Sequence, residues 1–128
     1  MIQRYPILEY LYKASGCYKE LDGNFEVEIR KNGYDFLLLT NGSSNRSQIY
    51  GVIGVAGENL ELHASVGLPN IITFSWPFAL EETEDEVSVE FTEQDVSMGI
   101  SLVFSEKILT FMLKMGSELK AKYVLQKA

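Results

Sequence analysis

A chain of 128 residues with 46% apolar and 12% aromatic side chains is the size of one domain and can bury a core without metal or disulfide staples. Its 18 carboxylates against 11 Lys and Arg give a net charge of −7, and the scattered cations exclude the basic cluster that nucleic acids require. A lone cysteine, Cys17, excludes an internal disulfide. No apolar run approaches the roughly twenty residues of a spanning helix, and no leader-like start is seen, so the expectation is a cytoplasmic protein that binds neither membrane nor nucleic acid.

In chain order, the first stretch reads as a short helix: Pro6 suits a first helical position, and Ile7, Leu8, Leu11 and Ser15 fall at helical spacing before Gly16 stops the run. Thereafter the period is two. Phe25, Val27 and Ile29 alternate with Glu26, Glu28 and Arg30; Asn32-Gly33 then supplies the left-handed geometry of a hairpin turn into Tyr34 to Thr40. A polar loop at 41–46 precedes a strand at 49–55, whose Gly51 and Gly54 mark bends, and Gly57 turns the chain into the alternating run Leu60 to Val66. Ile71 to Phe78, Val87 to Thr92, Ile100 to Ser105, Ile108 to Met115 and Leu119 to Gln126 complete the pattern, with the acidic run Glu81 to Glu86 as a loop. The expected fold is mainly β, a single domain over 1–128: an antiparallel meander of about nine or ten strands closing into a barrel or sandwich, with one short N-terminal helix.

The inward set follows from the alternation: Phe25, Val27, Ile29, Phe36, Leu38, Tyr50, Leu62, Phe74, Trp76, Val89 and Phe91, then Leu102, Phe104, Phe111, Leu113, Tyr123 and Leu125. His63, the only histidine, falls on the polar side of its strand beside Glu61 and reads as a solvated residue; one His and one Cys do not make a zinc site. Gly51, Gly54 and Gly57 are flanked by strand on both sides, so they read as curvature rather than a phosphate loop. No set of acid, base and nucleophile stands at recognisable spacing, and we expect no enzyme, no cofactor and no metal.

Charge carries the functional expectation. From Ser47 to Ser105 there are ten carboxylates and no Lys or Arg, whereas the rest of the chain has eight acids and eleven cations. Glu81, Glu82, Glu84, Asp85 and Glu86, with Glu90, Glu93 and Asp95, are expected to form one negative field with Glu61, steering a basic protein partner, and Trp76 to supply an apolar anchor. This profile of size, acidity and missing motifs is similar to that of bacterial immunity proteins, which implies an inhibitor that masks a cationic toxin or nuclease. The alternative is a lipocalin-like barrel carrying a small apolar ligand. Against it, the Arg-x-Tyr pair of intracellular fatty-acid carriers is replaced here by Lys120-Ala121-Lys122-Tyr123.

Overall fold

Ten antiparallel strands close on themselves in the structure, a computed structural model that describes residues 11–33, 35–41, 49–57, 59–66, 71–77, 86–93, 95 and 97–128. They are β1 (Gly16–Glu20), β2 (Glu26–Asn32), β3 (Asp35–Asn41), β4 (Ile49–Ala56), β5 (Asn59–Val66), β6 (Ile71–Pro77), β7 (Glu86–Glu93), β8 (Met98–Ser105), β9 (Ile108–Met115) and β10 (Glu118–Lys127). Each strand pairs with its chain neighbours, and β10 returns to β1, so the sheet is a barrel and not a sandwich. Closure leaves no free edge to recruit another chain.

β1 is the strand the alternation does not announce. Five residues long, it offers only Tyr18 to the interior, too few positions to show a period. Gly16 enters it at φ 147°, backbone that only glycine adopts readily, which is why the helical run stops there. Residues 11–14 are helical, and Leu11 is fully buried against the barrel core. Two side chains bind the last helical carbonyls: the Tyr18 hydroxyl donates to Ala14 O, and Lys127 Nζ donates to Lys13 O at 3.1 Å. Those carbonyls lack helical partners, so the first and last strands together cap the helix.

Four hairpins are as tight as an antiparallel pair allows. Asn32 pairs with Asp35, Ala56 with Asn59, Ser105 with Ile108 and Met115 with Glu118, each leaving two residues in the turn. In the first of these Asn32 stays in the ladder, opposite Asp35, and Gly33 leaves it at φ 65°.

The interior is built from alternating residues of every strand, and Ile29, Leu38, Leu62, Phe74, Val89, Phe91, Leu102, Phe111 and Leu125 are all at most 1% exposed. Aromatic rings bridge the wall: Phe25 stacks on Tyr123 with centroids 4.0 Å apart, and Tyr18 meets Phe104 edge-on at 6.2 Å. The inward set holds with one correction. Tyr50 faces solvent at 55% exposure, while Ile49, Gly51 and Ile53 point inward. Both faces of Ile49–Ala56 are apolar, so period two does not choose between them; packing does. A Cβ on Gly51 would lie 2.8 Å from Ala64 Cβ and 2.7 Å from Leu62 Cδ1, so this inward site has room for glycine alone.

Candidate interaction surface

Closure of the meander turns a sequence segregation into a spatial one. β4 to β8 form a continuous arc of wall carrying Glu61, Glu86, Glu90 and Glu93 and no Lys or Arg. Every lysine or arginine borne by a strand lies on the remaining wall: Lys114 on β9; Lys120, Lys122 and Lys127 on β10; Lys19 on β1; Arg30 and Lys31 on β2. A barrel thus presents an anionic side and a mixed, cation-bearing side, and the field of the first is not cancelled locally.

Of the residues expected to meet a partner, Glu81, Glu82, Glu84 and Asp85 lie outside the described residues. Glu86 opens β7, opposite Ser105 of β8. Glu90 projects outward in mid-strand and is exposed. Glu93 is half-buried at the end of β7, where its Oε1 accepts the backbone N–H of Asp95 at 2.9 Å, while Asp95 itself stands exposed in the following turn. Trp76 is not placed as an exposed anchor: it lies opposite Leu60 on the inward side of β6 and packs, half-buried, against the core.

The expected field is also less compact than a count of carboxylates implies. β6 runs between β5 and β7, presenting the outward residues Ile71, Thr73 and Ser75, so Glu61 and Glu90 belong to strands separated by a third. Two strand spacings are about 10 Å, close to the screening length at physiological salt, so the two groups of acids add only in part. Among the described residues Glu61 is engaged as well: its Oε1 lies 3.1 Å from His63 Nε2.

His63 completes a chain of contacts across two strands. Its Nδ1 lies 3.1 Å from the Thr73 hydroxyl on β6, giving a hydroxyl, an imidazole and a carboxylate in series. The order resembles a nucleophile, base and orienting acid, but the setting differs. All three residues lie on the outer wall with His63 and Thr73 exposed, on strands whose backbones pair in the β5–β6 ladder. Cys17 is exposed on β1, four strands from β5 around the wall, roughly 19 Å, and forms no pair with His63. Among the described residues no three His, Cys, Asp or Glu side chains converge as metal ligands.

The sequence reading missed the outer wall of β3 to β6. Tyr50 is 55% exposed, Val52 36% and Ile71 65%, with Leu37 and Leu39 half-buried beside them. Next to Tyr50 lies a depression of about 360 Å³ lined by Cys17, Glu26, Glu28, Leu39 and Asn41 among others. The available signal was Ile49–Ala56 itself, where both alternating faces are apolar and one must therefore face outward. Compared with protein-family models, with curated proteins and with solved structures, the chain matches none.

Proposed function

We propose that this is an acidic, non-enzymatic binding protein of the immunity type, which acts in the cytoplasm and masks the active surface of a cationic toxin or nuclease. The observation that supports this reading is the arc from β4 to β8, half the barrel wall, with carboxylates and no Lys or Arg. Like charge gathered on one side costs some stability, and a basic partner offsets that cost while gaining electrostatic steering. The test is the association rate with the captured partner over a range of salt. It should fall steeply as salt rises, and Glu82, Glu84, Glu86 and Glu90 reversed to Lys should slow association by at least about tenfold with the far-UV spectrum unchanged. Unchanged affinity in that variant rejects the reading.

The alternative, a lipocalin-like carrier of a small apolar ligand, draws on the closed barrel. It is opposed by the part of the interior around Ile29, Leu38, Leu62, Phe74, Val89, Phe91, Leu102, Phe111 and Leu125, which are at most 1% exposed and so have no room beside them for a water-sized sphere. A lipid or chromophore found by native mass spectrometry of the purified protein would favour the carrier.

A further inference from the structure

The outer wall of an antiparallel barrel is ordinarily polar, because alternate residues face water. From β3 to β6 this wall departs from that rule along two register rows. One runs Glu28, Leu39, Tyr50, Ser65, Ile71; the next runs Arg30, Leu37, Val52, His63, Thr73. Leu37, Leu39, Tyr50 and Val52 therefore stand side by side, with Ile71 two strands beyond Tyr50. Carboxylates bracket the patch: Glu26 and Glu28 on the β2 side, Asp35 and Glu61 at the end beyond Val52. Against these four acids the described outer wall of β2 to β6 carries one permanent cation, Arg30, held by Glu28 at 2.6 Å, and Lys19 of β1 stands opposite Glu26. The depression beside Tyr50 has Glu26 and Glu28 in its lining.

We infer that this wall is the anchoring half of the binding surface, and that it takes a partner segment in which apolar residues alternate with or flank Arg or Lys. The inference rests on the cationic-partner reading above and adds where the partner anchors. Charge complementarity sets the sign of the occupant: an anionic or neutral apolar segment would leave the bracketing carboxylates unanswered, whereas a guanidinium or ammonium can enter the depression between Glu26 and Glu28 beside the Tyr50 ring. Tyrosine is among the side chains that most often carry binding energy at the centre of an interface. Glu90 and Asp95, across β6, then steer rather than anchor.

The test titrates the isotope-labelled protein, followed by amide NMR at low and high salt, with three short synthetic peptides: one alternating Arg with Val, one Arg with Ser, one Glu with Val. The Arg/Val peptide should bind most tightly and shift the amides of Leu37, Leu39, Tyr50, Val52 and Ile71. Y50A combined with I71S should weaken it by on the order of thirtyfold, and Y50F, which keeps the ring, should not. Both positions are exposed, and an unchanged spectrum elsewhere verifies the fold. Equal binding of the Arg/Ser or the Glu/Val peptide overturns the inference. So do shifts confined to Glu90–Asp95 with the double variant unaffected, although the cationic-partner reading then survives. Failure of both arginine peptides at low salt removes that reading too. Concentration-dependent self-association abolished by Y50A would assign the wall to a second copy and overturn the proposal.

Discussion

Glu106 occupies a position that the other tight hairpins give to glycine. Gly33, Gly57 and Gly116 open their turns at φ 65°, 63° and 63°, and Glu106 does the same at 54°. A side chain in left-handed backbone costs about 1–2 kcal/mol, and among the described residues no hydrogen bond or ion pair of the Glu106 side chain offsets it, so Glu106→Gly should stabilise the fold by roughly 1 kcal/mol despite the looser unfolded chain. Thermal unfolding reads that shift directly, and a lower midpoint would contradict it. Gly51 is the opposite case. Its added Cβ meets Leu62 and Ala64 at under 3 Å, so Gly51→Val should destabilise by about 1–3 kcal/mol in urea titration, as overpacking of a tight interior does. A sequence displays both residues but not which of them is strained; the local spacing of the two strands decides.

At the level of elements, the described pairing between β6 and β7 is the thinnest in the wall. It consists of Ser75 opposite Thr92, helped by the Thr92 hydroxyl to Ser75 O at 3.4 Å, whereas β7 and β8 pair over eight positions from Glu86 to Glu93. Exchange of backbone amides with deuterium should be faster along the β6–β7 seam than along β8–β9, because fewer ladder bonds must break for it to open. Equal protection would show that the seam is held by contacts other than the ladder. The helix end is the other dependent element. Leu11→Ala should cost about 2–5 kcal/mol, since the side chain is fully buried. Lys127→Met should release the Lys13 carbonyl and raise exchange at residues 11–15 while leaving the mid-strand amides protected. The helical period foretold this element, but its capping by β1 and β10 is a product of closure.

For the whole molecule, β10 has two duties: it pairs with β9 over most of its length and with β1 through Tyr18, Lys19 and Glu20. Deleting 118–128 should therefore expose β1 and β9 as free edges and produce aggregation instead of a smaller soluble barrel, as light scattering would show. The sequence by itself determined that the chain is an antiparallel meander, nine of its strands, most of the interior and the separation of charge along the chain. Period-two alternation and turn residues are local, and they act before any distant contact forms. Barrel rather than sandwich, the short strand β1, the outward Tyr50 and the separation of Glu61 from Glu90 by β6 were decided only by the tertiary structure. Each depends on which residues meet across the barrel: β1 is too short to show a period, β4 is apolar on both faces, and only the closed wall sets β6 between the acids of β5 and β7. The same closure that buried one apolar face of β4 left the other, with Tyr50 and Val52, exposed among carboxylates.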